Sequence, residues 1–224
     1  MSMDSISHSS LNRIAYAGLI IASIAALLAI TNPRTCKPSI SFPHASCQTN
    51  LRRVTTIENK NKKLWSTKEW RKRVDSFKEL FHNLTANGFL SNDSKVLCVS
   101  AGAGHEVMAL KEMGLKNVDG VEIVGSPPLV KRADPHDLPF SGGVFDVCYS
   151  AHLAESLFPS RFVSEIERTV RLMGFCILTV EACSDEKLAR VTGFFRNSNL
   201  VFVGNVTLGE DELTQMVMRR ESYS

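Results

Sequence analysis

Residues 95–104 read KVLCVSAGAG, and the next ten residues continue as HEVMALKEMG. The apolar run VLCV predicts a buried β-strand, and the pattern from His105 to Met113 predicts a helix that a glycine ends. Glycines between a strand and a helix let backbone N–H groups approach a nucleotide-like ligand, because a Cβ would block that approach. The stretch therefore predicts an α/β domain with a ligand site at this turn.

A second predicted strand, VDGVEI at residues 118–123, places an acid near its end. The carboxylate of Glu122 can there accept hydrogen bonds from both hydroxyls of a ribose. Nicotinamide-binding Rossmann domains use an acid in the same way, but their fingerprint requires a further glycine where Val107 stands. A nicotinamide-dependent enzyme is therefore the weaker alternative.

Motifs farther along the chain give this domain a family resemblance. Residues 132–140 read RADPHDLPF, residues 143–150 read GVFDVCYS, and residues 161–180 read RFVSEIERTVRLMGFCILTV. In this order they resemble the S-adenosylmethionine-dependent methyltransferases of the type 11 group, over roughly residues 96–180. The segment 123–140, with its SPPLV, looks most like a group of plant membrane-anchored methyltransferase-like proteins.

The resemblance implies a fold, a cofactor and a set of site residues. The fold is an α/β, Rossmann-like class I methyltransferase sheet, mostly parallel with a C-terminal antiparallel strand, and the cofactor is S-adenosyl-L-methionine. The residues carried over from the family are Ser100, Ala101, Gly102 and Gly104 at the methionine part, Glu122 at the ribose, Asp134 near the adenine, and Tyr149 and Ser150 facing the methyl group. His152 follows the same strand and is the candidate catalytic general base. His105 and His136 could border the pocket, but they are expected to be ordinary surface histidines.

Departures from the family pattern bear on activity. The first strand usually ends in an acid that steers the ammonium group of the cofactor, and Ser100 stands in its place. Glu106 replaces a third glycine, and only Gly174 remains of a later glycine pair. Pro127 and Pro128 forbid a normal helix between the second and third strands. Two functions stay open: methyl transfer to an unidentified small-molecule acceptor, and a catalytically inactive methyltransferase-like module that acts in binding or assembly.

Ahead of this domain, residues 14–30 read IAYAGLIIASIAALLAI and carry no charge. A helix of this length spans about 25 Å, near the lower limit for a bilayer core, so the run predicts a single transmembrane anchor. A cleaved signal peptide is the alternative. Residues 1–13 are then an N-terminal tail, and residues 31–64 are a flexible basic linker. We expect a single-pass protein of the endoplasmic reticulum or Golgi, and the basic residues after the anchor favour a cytosolic domain.

The methyltransferase-like domain is predicted to cover residues 65–224. Ser66 and Glu69 form a capping box that predicts the start of a helix. An apolar stripe from Trp70 to Leu84 follows at helical spacing and would form a lid or flank of the sheet. The elements expected at the C-terminal end are a helix at 185–195 and strands at 200–206 and 213–218.

Composition limits the partners that the chain can have. The formal net charge of +3, from 26 basic and 23 acidic residues, argues against a dedicated nucleic-acid binder. The cysteines and histidines show no zinc-type spacing, so we expect no metal site. Cys98, Cys148 and Cys176 lie in predicted buried strands, whereas Cys36 and Cys47 could pair only in an oxidising lumen. The expected partners are a membrane, through Ile14 to Ile30, a small-molecule acceptor and, for the inactive alternative, another protein.

Overall fold

The computed structural model describes residues 57–221. The strands are β1 (Val96–Val99), β2 (Val118–Glu122), β3 (Lys131–Arg132), β4 (Phe145–Ser150), β5 (Val170–Glu181), β6 (Ser198–Leu208) and β7 (Asp211–Arg220). The helices are α1 (Ile57–Trp65), α2 (Lys68–Ala86), α3 (His105–Glu112), α4 (Pro159–Thr169) and α5 (Asp185–Thr192), and a short 3₁₀ turn covers Leu153–Glu155.

The strands form one sheet in the order β3-β2-β1-β4-β5-β7-β6. Pairing is parallel from β3 to β5, and β7 runs antiparallel to both β5 and β6. The mostly parallel sheet with an antiparallel C-terminal strand agrees with the predicted architecture. The direction of winding reverses between β1 and β4. The carboxyl ends of these strands therefore border the crevice in which open α/β sheets bind ligands.

Two clusters of buried apolar side chains hold helices against the sheet. One cluster joins α2 and α3 to the sheet, and the other joins α4. The predicted stripe of α2 is buried, and its members are Trp70, Val74, Phe77, Leu80, Phe81 and Leu84. Full burial of a large apolar side chain contributes roughly 1.5–3 kcal/mol. Helix α2 is therefore a layer of the core rather than a lid.

The start of the domain differs from the sequence prediction in two respects. Helix α1 lies mostly within residues 31–64, which were predicted to be a flexible linker. Helix α2 begins at Lys68, and Oγ1 of its N-cap Thr67 accepts a hydrogen bond from the Trp70 N–H at 3.2 Å. The Ser66 hydroxyl instead donates to the carbonyl of Lys63. The predicted capping box was therefore one residue too early.

A tight turn, without a helix, connects β2 to β3. The backbones of Ser126 and Val130 exchange hydrogen bonds of 2.9 and 3.0 Å across this turn. Pro127 and Pro128 occupy its middle, which agrees with the prediction that a normal helix is absent here. The turn places side-chain atoms of Leu129 and Val130 about 3.0 Å from the position that a Cβ on Gly104 would occupy, so the two residues pack against the glycine turn.

Gly174, the one glycine that remains of the expected pair, lies within the first half of β5, where the pairing with β4 is irregular. A Cβ on Gly174 would lie 2.6 Å from the carbonyl oxygen of Asp146, so this position needs glycine. Met173 precedes it with a φ of +61°, a left-handed conformation that costs a side-chain-bearing residue about 1–2 kcal/mol. Met173 thus holds a conformation that glycine would adopt without this cost.

Some predictions fall on residues outside the described range, among them the anchor at 14–30 and the pair Cys36 and Cys47. Within residues 57–221, no helix combines the length and apolar character needed to cross a bilayer. The same residues contain no group of three or more His, Cys, Asp or Glu side chains that could hold a metal ion. The predicted core cysteines Cys98, Cys148 and Cys176 are buried.

Candidate functional site

The glycine turn begins directly after β1 and is held by its own backbone. Gly104 N–H donates to the Ala101 carbonyl at 2.7 Å, and Ala101 N–H donates to the Val121 carbonyl of β2 at 3.1 Å. Gly104 has a φ of +97°, and a Cβ there would lie 3.0 Å from side-chain atoms of Leu129 and Val130. The turn therefore keeps its close path only with glycine at this position. Ala101 is buried in the core beneath it, so only its backbone can face a ligand.

Glu122 stands at the end of β2, across from the glycine turn. Its Oε2 accepts a hydrogen bond from Gly102 N–H at 3.1 Å, and its Oε1 accepts one from Ile123 N–H at 2.7 Å. A carboxylate has about four lone-pair sites, so each oxygen can still accept a further bond. Glu122 and Gly102, which the resemblance assigned to one cofactor, therefore lie within hydrogen-bond distance of each other, and their role in binding stays a prediction.

A cavity of about 290 Å³ opens beside this pair, at the carboxyl ends of β1, β2 and β4. Ser100, Glu122 and His152 supply polar groups to its wall. Ile123, Leu157 and Phe162 supply apolar surface. Small-molecule sites are typically clefts of roughly 300–1,000 Å³ in which a few polar groups interrupt an apolar lining. The cavity has this character and lies at the lower end of that range.

The loop after β3 contributes Asp134 and His136, in an arrangement that the sequence did not predict. Asp134 Oδ1 accepts a hydrogen bond from His136 N–H at 2.8 Å, and this bond is the main cause that lowers the pKa of the carboxyl. The His136 ring joins Asp134 Oδ1 at 3.1 Å to the Ser156 hydroxyl at 2.9 Å. His136 lines the cavity with a side chain only 13% exposed. The expectation that His136 is an ordinary surface residue was therefore wrong.

Asp134 itself lies outside this cavity. Its side chain is 60% exposed and borders an adjoining hollow of about 360 Å³, together with Arg132 and Ala133. Ile123 lines both spaces, so the hollow continues the cavity beyond the end of β2. A ligand that extends from Glu122 past Ile123 would reach Asp134.

Tyr149 and Ser150, which the resemblance placed facing the methyl group, are the last two residues of β4. Tyr149 is buried, donates its hydroxyl to Thr179 Oγ1 at 3.1 Å, and packs edge-on against Phe81. Its predicted place facing the methyl group was wrong, because its side chain points into the core under α2. Ser150 is also buried, and its Oγ accepts a hydrogen bond from His152 N–H at 3.2 Å. Ser150 thus shapes the start of the next turn.

His152 lies between two carboxylates at the wall of the cavity. Its Nδ1 is 3.0 Å from Glu155 Oε1, and its Nε2 is 3.8 Å from Glu106 Oε1. A carboxylate at one ring nitrogen fixes the tautomer of an imidazole and leaves the other nitrogen able to take a proton. This geometry suits the predicted role of a general base. His105 instead stacks on Trp70 at 3.8 Å between ring centroids, and burial lowers its pKa to about 4.

Glu106 is the functional candidate that sequence reasoning missed. The sequence treated it only as a replacement for glycine, but its side chain is 3% exposed and lies against the cavity wall at His152. Burial raises its pKa to about 7. Its spacing of four residues from buried Leu110 places both on the inner side of α3, and this helical periodicity is the signal that could have found it.

Residues 97–178 match the family model described as a methyltransferase domain. No curated protein matches the sequence.

Solved structures share the fold at low sequence identity. A methyltransferase bound to the Trm112 activator from Haloferax volcanii has a TM-score of 0.56 and 12% identity, covering 75% of this chain and 99% of that one. The 1,6-didemethyltoxoflavin-N1-methyltransferase of Burkholderia thailandensis, solved with S-adenosylhomocysteine, has a TM-score of 0.53 and 15% identity. The match covers 74% of this chain and 84% of that one. A SAM-dependent methyltransferase from Aquifex aeolicus has a TM-score of 0.53 and 14% identity. The match covers 72% of this chain and 97% of that one.

Proposed function

We propose that this chain, whose described part has the fold of a class I methyltransferase, transfers a methyl group from S-adenosyl-L-methionine to a small-molecule acceptor. The family match over residues 97–178 and the shared fold indicate this cofactor. The observation that carries the proposal is the carboxylate of Glu122, which is held opposite Gly102 on the wall of the cavity. The small-molecule acceptor and the role of each residue are parts of the proposal.

The residues of the cavity fit the parts of this cofactor. Glu122 has free acceptor capacity toward the cavity and would bind the two ribose hydroxyls. Ile123 continues the wall toward Asp134, and this apolar surface suits the adenine ring. The turn from Ser100 to Gly104 would lie against the methionine part, where its backbone permits close approach. The proposed order of contacts therefore follows the sheet from β2 to β4.

The chain's own residues would then orient the acceptor and accept its proton. The bound cofactor supplies a methyl group already activated on its sulfonium, so the protein chiefly aligns donor and acceptor. His152 lies at the cavity wall, where its Nε2 would take a proton from a hydroxyl or amine of the acceptor. Glu155 would stabilise the imidazolium that forms, through its 3.0 Å contact with Nδ1.

A calorimetric titration tests the cofactor assignment. The purified full chain in mild detergent should bind S-adenosylmethionine in the micromolar range and should not bind NAD. Glu122→Ala should weaken binding of S-adenosylmethionine at least tenfold, because two charge-assisted hydrogen bonds are lost. The matched control is Glu79→Ala on the exposed face of α2, which should leave the affinity unchanged. Equal affinities of the Glu122→Ala variant and the wild type would refute the ribose assignment.

A second candidate is a methyltransferase-like module that binds or assembles without catalysis. Ser100, which lacks the usual acid, and Glu106, which occupies the inner side of the turn, favour this reading. A protein partner would then be the relevant ligand, and one structural neighbour is a complex with an activator protein. Absence of measurable S-adenosylmethionine binding would favour this module over the enzyme.

We also propose that residues 14–30 anchor the chain in an endomembrane as a single transmembrane helix. The support is the uncharged apolar run itself, which is long enough for the bilayer core. Extraction of membranes at alkaline pH should leave the chain in the pellet, whereas Ile20→Lys with Ile24→Lys should release it into the supernatant. Release of the wild type under the same conditions would exclude the anchor.

A further inference from the structure

Glu106 carries a buried carboxylate whose hydrogen bonding is incomplete. Only 3% of the residue is exposed, and among the described residues its Oε2 has no hydrogen-bond partner. Buried polar atoms in native proteins nearly always have partners, because an unpaired one loses its hydration without compensation. A carboxylate in this state is a natural partner for a ligand cation.

The carboxylate lies behind the wall of the cavity described above, next to His152. Glu106 belongs to the first turn of α3, directly after the glycine turn, and its Oε1 is 3.8 Å from Nε2 of His152 on the cavity wall. Glu106 lies beside His152, which follows β4, whereas Glu122 ends β2, and β1 lies between these two strands in the sheet. Glu122 occupies the proposed ribose position, and so Glu106 stands where the methionine part would lie.

Among the described residues, the charged groups around Glu106 form no short ion pair with it. His152 faces it from the turn after β4, and Arg73 of α2 acts on it from farther away while pairing with Asp211 at 3.6 Å. Glu122 of β2 adds negative charge nearby, and the neutral Cys98 of β1 and Tyr149 of β4 complete the surroundings. The nearest described side chain that can carry a positive charge, the His152 ring, is therefore 3.8 Å away, beyond hydrogen-bond distance.

We infer that Glu106 binds the α-ammonium group of the methionine part of S-adenosylmethionine, in place of the acid that is absent at Ser100. This inference rests on the proposed function. The carboxylate that would bind the ammonium group is then supplied by the first turn of α3, and no longer by the residue after β1. Both positions flank the same glycine turn, so the change conserves the charge of the site while altering its source.

Two adenosyl ligands separate this inference from the proposed function. S-adenosylhomocysteine carries the ammonium group, whereas 5′-methylthioadenosine has the same adenosyl part and lacks the amino acid. With the full chain in detergent, Glu106→Gln should weaken S-adenosylhomocysteine at least tenfold and leave 5′-methylthioadenosine within twofold. Glu122→Ala should weaken both. Retained affinity for 5′-methylthioadenosine also shows that the Glu106→Gln variant is folded.

Each other result has a defined meaning. An unchanged or stronger binding of S-adenosylhomocysteine by Glu106→Gln, with Glu122→Ala still weakened, would overturn this inference alone, and stronger binding would mean that Glu106 obstructs the site. Failure of the wild type to bind either ligand would overturn the proposed function together with the inference.

The pH dependence of binding gives a readout that a purely structural role would not produce. Because burial raises the pKa of Glu106 to about 7, its carboxylate fraction rises from about one tenth at pH 6 to about nine tenths at pH 8. Wild-type affinity for S-adenosylhomocysteine should therefore rise about tenfold over this range, and the affinity of Glu106→Gln should stay flat. His152→Gln should keep the rise but shift it to higher pH, because the imidazole lowers the pKa of Glu106. A flat wild-type profile would overturn the inference.

Discussion

Glu106 links the stability of the folded chain to pH. Burial raises its pKa from the ordinary 4.5 to about 7 in the folded state. Between these two values the folded chain holds a proton that the unfolded chain releases. The contribution of the protonated group to stability is therefore complete below pH about 4.5 and is lost as the pH rises through 7. At pH 8 the buried carboxylate costs on the order of 3 kcal/mol relative to its neutral form.

We predict that Glu106→Gln makes the ligand-free chain more stable at pH 8 and has little effect at pH 5. The expected gain in the free energy of unfolding at pH 8 is about 1–3 kcal/mol, since the amide is neutral but still polar and buried. Urea unfolding at the two pH values, followed by circular dichroism, measures it. Glu79→Gln on the exposed face of α2 is the matched control and should change neither value. A destabilised Glu106→Gln variant at pH 8 would contradict the origin assigned to the raised pKa.

At the scale of single residues, the sequence predicted those positions whose geometry follows from a local motif. Glu122 and Gly102 meet because a strand, a turn and the neighbouring parallel strand place them at one sheet edge. Tyr149, at the end of β4, and His136, in the loop after β3, were misplaced because the direction of each side chain depends on contacts with residues distant in the sequence. Tyr149 packs against Phe81 of α2, and the His136 ring is hydrogen-bonded to the Ser156 hydroxyl.

At the scale of elements, α2 is the structural support of the site. Phe77 and Phe81 pack edge-on against Tyr149 at the end of β4, and Trp70 stacks on His105 at the start of α3. The helix therefore contacts both elements that hold the ends of the crevice. The sequence left open whether this stripe forms a lid or a flank, and its burial identifies a fixed flank.

Replacement of Phe81 by alanine should test this support. We predict a loss of about 3–5 kcal/mol in the free energy of unfolding, because a fully buried aromatic ring leaves a cavity. The exposed control Lys72→Ala should cost less than about 0.5 kcal/mol, since its ion pair with Glu210 lies in solvent. Chemical denaturation of both variants provides the measurement. A loss below 1 kcal/mol for Phe81→Ala would mean that α2 can leave the sheet without unfolding the domain.

The elements that could be predicted from the sequence have a clear apolar pattern, and those that could not be predicted lack one. Strands β1, β4 and β5 read as apolar runs, and the proline pair correctly predicted the absence of a helix before β3. Helix α1 escaped prediction because its sequence IENKNKKLW is largely polar and basic, which is typical of a solvated segment. The start of α2 was displaced because Ser66 and Thr67 are both good N-cap residues.

For the molecule as a whole, the sheet order explains why one segment carries the candidate site. The residues that line the cavity fall between positions 100 and 162, at the ends of strands on either side of the reversal in winding. Strands β5, β6 and β7 extend the sheet away from this point, and β5 and β7 contribute buried side chains to both clusters of the core. The sequence motifs lay between residues 96 and 180, which is why the cofactor was easier to predict than the C-terminal boundaries.

The cooperative unit should therefore be residues 55–224, which form one compact unit. We predict that a chain limited to these residues unfolds in a single transition and binds S-adenosylhomocysteine within twofold of the full chain, because the cavity residues all lie within it. A chain that begins at Gly88 lacks α2 and should fail to fold, since it exposes the face of the sheet that six large side chains cover. Calorimetric unfolding and near-ultraviolet circular dichroism compare the two. A folded chain from Gly88 onward, or two separate transitions in 55–224, would show that α2 is not an integral layer of the core.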